Sequence, residues 1–510
     1  MQKKFDWKKP EHFSILVSFL AGLAVHMFGL VNTMHNPDDI SMQPGGFGVG
    51  LSSGRWFLEC LGRLCAKLLG GYNLPWLNGI LFLALIAVSV GFLVSIFDVQ
   101  SRKIAAAIGL IFITYPSVTA TMMYRFTVVY YGLAILLAIL AVWFLVKYRY
   151  GFFPSVLCTA LALGIYQAYL PLSISLLVLY LLKHALQHSE SFWHILRRGL
   201  YFCGAIILGV LLYVLILQIF LRITQVELNS YQGINEMGKL SIKTIPHLLK
   251  RTILTFFRLP KYDYAGLAQT KLLKIAYIVV GLSVPLITAF LAVIKKKGIG
   301  QSFILLLLVL IAPVAVNFIM IMCPDGNIHT LMVYAFAVVP CVPLVLTEAI
   351  PPLAGIRAVL KSALVRTSAF FVAVIFICNS YMANVNYTAT YYTNRQAENY
   401  FMSMVTQIKS AEGFDAEKKW AVIGTPHDPN LNNAWQRFPK YEGHPNVSDL
   451  TSTYLWWFWA YLYGGYQPPL ANAEEALQLQ SNQEVINMPC WPAEGSIKVV
   501  DDYIVIKYSE

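Results

Sequence analysis

Residues 152–183 read FFPSVLCTALALGIYQAYLPLSISLLVLYLLK, an apolar run with no charge before Lys183. As one helix it would rise roughly 48 Å, against a hydrocarbon core about 30 Å thick. Pro171 sits near its middle, where a missing amide and a steric clash with the preceding turn kink or break a helix. A tight reversal at Gln167-Ala168-Tyr169-Leu170-Pro171 answers both problems and gives two spans, 152–168 and 169–183. The choice sets the parity of everything downstream. One long helix would put Lys295-Lys296-Lys297 on the outer side; the hairpin puts them with the other basic loops.

Working outward from this hairpin, apolar periods of spanning length fall at 13–31, 75–97, 104–122 and 128–146 before it, and at 201–221, 273–294, 303–321, 331–347 and 367–386 after it. The fold class expected is an all-α polytopic membrane domain of about eleven helices over residues 1–386, followed by a small extracytoplasmic α/β domain over 387–510. With the N-terminus in the cytoplasm, every inner loop carries a basic cluster. These are Arg102-Lys103, Lys147 with Arg149, Lys183 through Arg197-Arg198, Lys295-Lys296-Lys297, and Arg357, Lys361 and Arg366. That is the positive-inside signature. The first run follows Lys3, Lys4, Lys8 and Lys9 but is too long for a signal peptide, and no small-x-small site follows it; a retained anchor is expected.

Composition agrees with a bilayer. Of 510 residues, 57% are hydrophobic and only 13% charged, where a soluble domain carries about 25% charged residues. The net charge of +12 is spent largely in short loops between spans, so it does not point to nucleic acid. Eight cysteines are scattered, mostly in apolar segments, with no CxxC pair and no metal-type cluster. No disulfide framework and no resident cofactor are expected; a divalent cation held by an acidic pair stays open.

Three pieces then lie outside: 32–74, 222–274 and 387–510. In the last, Lys419-Trp420-Ala421-Val422-Ile423-Gly424 reads as a buried strand, and Ser496–Val500 with Tyr503–Tyr508, flanking Asp501-Asp502, as a closing hairpin. Gln396–Ala411 reads as helix.

The spans hold almost no ionisable group; His26 is the chief exception. A charge at membrane depth costs at least ~2.5–3.5 kcal/mol and is kept for work, so its scarcity counts against an ion-driven carrier. Chemistry is expected at the membrane surface. In the first outer loop, His35-Asn36-Pro37-Asp38-Asp39-Ile40 puts two carboxylates close to the headgroups. Asp38 and Asp39 are candidate catalytic residues, since a group transfer to a hydroxyl needs a base; an ordinary Pro-Asp turn explains the same pattern.

Gly54-Arg55-Trp56 opens an interfacial amphipathic stretch reaching Leu69, in which Arg63 and Lys67 read as snorkelling side chains. Arg55, at the helix start, is a candidate phosphate ligand. Arg125, in the short outer turn Met122–Thr127, runs against the positive-inside pattern and is a second candidate, or else an anchor. Tyr166 and Gln167, at the hairpin tip, are candidates for bonding sugar hydroxyls. The 222–274 connection holds Arg222, Lys239, Lys243, Lys250, Arg251, Arg258, Lys261, Lys271 and Lys274 against Glu227, Glu236 and Asp263. Such a basic outer loop is a grip for a phosphate or polyanion, with Lys250, Arg251 and Arg258 as its candidates, or a half-buried amphipathic helix near Pro246–Phe257, or a sign that the topology is misassigned there.

On Asn36-Pro37-Asp38-Asp39, Gly54-Arg55-Trp56, Tyr115-Pro116, Gly164-Ile165-Tyr166-Gln167 and the outer C-terminal domain, the chain resembles the bacterial membrane glucosyltransferases of O-antigen and related surface glycans, within the polytopic GT-C class. The resemblance implies transfer of glucose or a similar hexose from a polyprenyl-phosphate carrier to a glycan outside the cell membrane, with an acidic residue of the first outer loop, Asp38 or Asp39, in catalysis. The implied partners are that lipid-linked donor, the acceptor glycan and the bilayer. The basic 222–274 loop maps onto no family motif. Two other classes fit parts of the pattern: a transporter or flippase for lipid-linked sugars, and a non-catalytic membrane assembly protein.

Overall fold

The computed structural model describes residues 6, 8–229, 243–259, 264–324, 327–425, 438–452, 455–465 and 467–509. Lys3, Lys4, Lys239, Lys261, Glu236 and Asp263 lie outside them. In chain order the helices are α1 (Pro10–Val31), α2 (Pro37–Ser41), α3 (Trp56–Leu69), α4 (Pro75–Ile96), α5 (Arg102–Thr114), α6 (Pro116–Thr121) and α7 (Val128–Lys147). There follow α8 (Phe152–Ile165), α9 (Leu170–Gln187), α10 (Phe192–Thr224), α11 (Ile245–Arg258), α12 (Lys271–Ile294), α13 (Ile299–Val316) and α14 (Ile319–Met322). The chain continues through α15 (Cys341–Glu348), α16 (Gly355–Ser410), β1 (Lys419–Ile423), α17 (Val447–Leu450) and α18 (Trp456–Gly464) to α19 (Ala473–Gln480), α20 (Gln483–Asn487), β2 (Ile497–Val500) and β3 (Tyr503–Lys507). They form two compact units: residues 1–31, 46–384 and 440–442 in one, and 32–45, 385–439 and 443–510 in the other.

The first unit is helical. Among the described residues, eight helical segments are long and apolar enough to cross a membrane, Gln167–Gln187 among them, and two apolar helices, Phe152–Ile165 and Tyr334–Glu348, are shorter. The expected span 104–122 is split. Tyr115 is extended (φ −61°, ψ 143°) because the ring of Pro116 excludes it from helical backbone, and Pro116 opens α6. The expected hairpin at 167–171 is present: α8 stops at Ile165, Tyr166 is extended, and Gln167–Tyr169 form a single 3-10 turn before α9. Pro171 stands in the first turn of α9, where its missing amide costs nothing.

Hydrogen bonds and ion pairs gather the basic loops at one end of this unit. Lys147 Nζ meets Asp98 Oδ1 at 2.6 Å, Lys183 Nζ donates to Phe97 O, and the amides of Gln100 and Ser101 donate to Glu348 Oε1. Lys297 Nζ donates to His188 O, and Lys361 Nζ to Ile350 O. Arg102 lies 4.0 Å from the ring centroid of Phe13. Arg55, Arg125, Tyr166 and the start of α7 occupy the opposite end, as does α11. There Arg251 Nη1 donates to Pro324 O and Asn317 Nδ2 to Thr252 O.

The second unit holds a three-stranded sheet in the order β1-β3-β2, with β1 parallel and β2 antiparallel to β3. Asp501 turns the β2–β3 hairpin with φ +52°, the positive φ that a two-residue turn demands. Side chains alternate across the sheet. Trp420, Ile504 and Ile506 join Phe401, Met404, Ile408 and Trp459 on one face; Ala421, Ile423 and Val505 join Leu479 and Val485 of α19 and α20 on the other. Burial on both faces explains why Ile504, Val505 and Ile506 of β3 are apolar in succession rather than alternating. Ile40 of α2 is fully buried in the first of these clusters, so the acidic turn of the first loop is packed into this core.

Candidate active site

In the second unit, Asn36 caps α2 by accepting a hydrogen bond from the Asp39 amide at 2.7 Å, and Pro37 fills the first helical position. The cap fixes the adjacent carboxylates in opposite settings. Asp38 is exposed, and Asp39 is fully buried. Asp39 Oδ2 lies 2.8 Å from Nδ1 of the buried His35, whose Nε2 lies 2.9 Å from the hydroxyl of Tyr463. Burial first, then the Glu398 carboxylate, push the Tyr463 phenol up to about 12. The His35 ring thus bridges the Asp39 carboxyl group and the Tyr463 hydroxyl, one ring nitrogen to each. Asn394 clamps the His35 backbone on both sides: His35 N donates to its Oδ1 at 2.8 Å, and its Nδ2 donates to His35 O at 3.0 Å.

In the first unit, Arg55 stands at the N-cap of α3. Its Nη1 donates to Tyr131 OH at 3.1 Å, and its guanidinium carbon lies 5.0 Å from the ring centroid of Tyr166. Tyr166 in turn stacks on Tyr131 at 4.5 Å. The guanidinium thus sits over an aromatic platform. Its Nε is buried without a hydrogen-bond partner, a donor that suits an anion. Gln167 Nε2 donates to Ser53 O and Tyr213 OH, both at 3.0 Å, and Tyr213 OH donates to Gly54 O. Tyr166 and Gln167, the sugar-binding candidates at the hairpin, are buried and support the Arg55 loop. Gly54 has φ +72°, and a Cβ there would come within 2.8 Å of Tyr213 OH and 2.9 Å of Gln167 Nε2. Only glycine fits that position.

The other cations divide. Arg125 is fully buried; Nε donates to Met122 O and Nη2 to Gly29 O, so the guanidinium braces the turn after α6 against the end of α1. Lys250, Arg251 and Arg258 are exposed on α11 while Leu248 and Thr252 are buried, which makes α11 the half-buried amphipathic helix that sequence offered as one explanation of the basic loop.

Sequence reasoning missed His329 and Glu442. His329 Nδ1 lies 2.9 Å from Glu442 Oε2, Tyr124 OH reaches Glu442 Oε1 at 3.5 Å, and Glu442 N donates to Thr330 Oγ1 at 3.2 Å. Residues 440–442 belong to the first unit although they lie far along the chain; no local motif marks them. It missed Tyr463 and the His35 imidazole for the same reason, a sequence separation of 428 residues. Among the described residues, no group of three or more His, Cys, Asp or Glu stands close enough to hold a metal ion.

No curated protein and no solved structure matches the chain. The family model described as Glucosyl transferase GtrII matches residues 27–340, a range that includes the Asp38-Asp39 turn, Arg55, Arg125, the Tyr166-Gln167 reversal and α11. With more than half of its length matched in this way, the chain belongs to the GtrII glucosyl transferase family, a bacterial family of surface-glycan synthesis.

Proposed function

We propose that the protein transfers a hexose, glucose by its family, from a polyprenyl-phosphate carrier to a surface glycan at the outer face of the cell membrane, with Asp38 as general base. The observation that carries this reading is the split in the acidic pair: Asp38 is exposed, and Asp39 is buried against His35. A base must reach the hydroxyl it deprotonates, and Asp38 meets that demand. Asp39, His35 and Tyr463 are positioning residues that hold its turn. In the step, the acceptor oxygen bonds to the sugar's anomeric carbon as the bond from that carbon to the phosphate oxygen breaks. The acceptor's proton passes to Asp38, and polyprenyl phosphate leaves.

Arg55 is the donor-phosphate ligand in this reading. Charge builds on the leaving phosphate, and a pre-placed guanidinium with a spare N–H opposes it without reorganising. Tyr166 serves as its platform. Arg125 supports the site as a brace, and Lys250, Arg251 and Arg258 widen the positive surface at the same end of the helical unit.

The proposed topology is GT-C-like, with eleven crossings: the eight long segments, α5 with α6, α8, and the stretch from Thr330 to Glu348. The end that gathers Arg102, Lys147, Lys183, Lys297 and Lys361 faces the cytoplasm with the N-terminus, and the C-terminal unit is extracytoplasmic.

The test is transfer by purified protein in detergent, supplied with polyprenyl-phosphate glucose and acceptor glycan. Glucosylated product without a bilayer is expected. A protein that moves the lipid across vesicles but yields no product in detergent is a transporter, and the reading fails.

A further inference from the structure

The first unit contains a cavity of about 330 Å³ walled by α9, α11, α12 and α13 with the 334–338 turn. Its lining is carbon almost throughout. The polar groups that reach it are already satisfied: Ser175 Oγ donates to Pro171 O at 2.7 Å, and Tyr277 OH to Tyr115 OH at 3.2 Å. A ligand here gains no hydrogen bond, so only an apolar one is favoured. Two helix-interior prolines, Pro285 in α12 and Pro313 in α13, stand in its wall. Each lacks the amide that would continue the hydrogen-bond ladder of its helix.

The cavity runs along α9 toward α11. On α9 its lining runs from Ser175 to Leu182, about 10 Å of helix rise. At the end away from the basic loops it meets Phe256, Phe257 and Leu259, so the amphipathic α11 roofs it. The same helix carries the exposed Lys250, Arg251 and Arg258. Phe257, Ile278 and Leu282 are 67%, 46% and 59% exposed, so the cavity is open at the flank of the helical unit and a lipid can enter sideways.

We infer that this cavity binds the isoprenoid chain of the donor lipid, entering from the bilayer between α12 and α13, with its phosphate directed to the end of the helical unit that carries Arg55 and α11. The inference rests on the proposed function for the identity of the lipid. An apolar cavity open to the bilayer, covered by a helix whose outer face is basic, suits a long hydrocarbon that ends in a phosphate. Gly281 supplies a clean probe. It lines the cavity, and a Cβ built there meets nothing within 4 Å, so a side chain can start from this position without a clash and Gly281→Phe takes up room at the cavity wall.

The experiment places the full chain in phosphatidylethanolamine–phosphatidylglycerol nanodiscs with a polyprenyl phosphate bearing a benzophenone on its chain. After irradiation, crosslinked peptides are mapped by mass spectrometry. Glucose transfer is measured in the same discs. Labels are expected on α12 and α13, displaced by unlabelled polyprenyl phosphate but not by added phosphatidylglycerol. Gly281→Phe should cut them about tenfold, the effect of losing roughly 1.4 kcal/mol of apolar burial; Ala312→Phe, on the facing wall, is the second variant should the first fail to fold. Labels elsewhere, labels undiminished by the filling variants, or equal competition by phosphatidylglycerol overturn the inference, the last result making the cavity an ordinary acyl-chain groove. Labelling of the cavity without glucose transfer sinks the proposed function and leaves the cavity assignment standing. Transfer without labelling there does the reverse.

Discussion

His35 Nδ1 and Asp39 Oδ2 meet at 2.8 Å, one helical turn apart in sequence and both sealed from solvent. The pair joins the first loop to the aromatic core of the second unit, because His35 also packs edge-on against Trp459 at 6.4 Å. A carboxylate buried beside an imidazole is stable only while that partner stays. His35→Ala should therefore destabilise the protein by about 1–3 kcal/mol, and His35→Ala with Asp39→Asn should cost less than the sum of the two. Thermal unfolding in detergent, arranged as a double-mutant cycle, measures that coupling. Additive losses would mean the contact contributes nothing.

Arg55 tests the phosphate assignment separately. Arg55→Lys keeps the charge and loses both the planar fork and the contact with the Tyr166 ring, so kcat/KM for the lipid donor should fall about 10–100-fold. Arg55→Gln removes the charge, with an expected loss of about 100–1,000-fold. Steady-state kinetics at saturating acceptor read both. Donor kinetics unchanged in Arg55→Gln would remove Arg55 from the site.

Gly54 is a backbone prediction. An alanine there must hold φ +72° and press its methyl into Tyr213 OH and Gln167 Nε2. The left-handed conformation alone costs about 1–2 kcal/mol for a residue with a Cβ. Gly54→Ala should lower the melting temperature and, by moving Arg55, raise the KM for donor. A variant as stable and active as the parent would contradict the loop geometry.

The C-terminal unit carries an acid-sensitive contact. Lys419 Nζ donates to Glu475 Oε1 at 2.6 Å, and the Asn472 amide donates to its Oε2 at 2.7 Å. Together they hold the Glu475 carboxyl below its ordinary value. A depressed folded-state pKa gives stability that is present above the unfolded value and lost as pH falls through the folded one. Glu475→Gln should thus lose some stability near neutral pH and none in acid, where the parent's carboxyl is already protonated. Unfolding midpoints against pH check this; the pair is exposed, so the effect is small.

Much of this architecture was legible from apolar runs. The 152–183 stretch reverses where Pro171 and bilayer thickness demand it, and the Asp501-Asp502 hairpin forms between two short apolar strands. Hydropathy did less well with α16. It stops at residue 386, where Tyr, Asn and Thr replace Leu and Val, while the helix continues to Ser410 because no glycine or proline interrupts residues 356–412. The split at Tyr115-Pro116 was visible as a proline but was hidden inside a run of spanning length. For the site, Arg55 and the acidic pair stood out as charges in odd places. His35, Tyr463, His329 and Glu442 did not, since what makes them notable is a partner that is hundreds of residues away or, for His35, burial that no local pattern announces.

The most direct measurement is the turnover of purified Asp38→Asn, with donor and acceptor saturating and folding verified by its melting temperature. If Asp38 takes the acceptor's proton, kcat falls about 100–10,000-fold while the melting temperature holds. An Asp38→Asn protein that folds and turns over at the parent's rate would contradict the account at its centre.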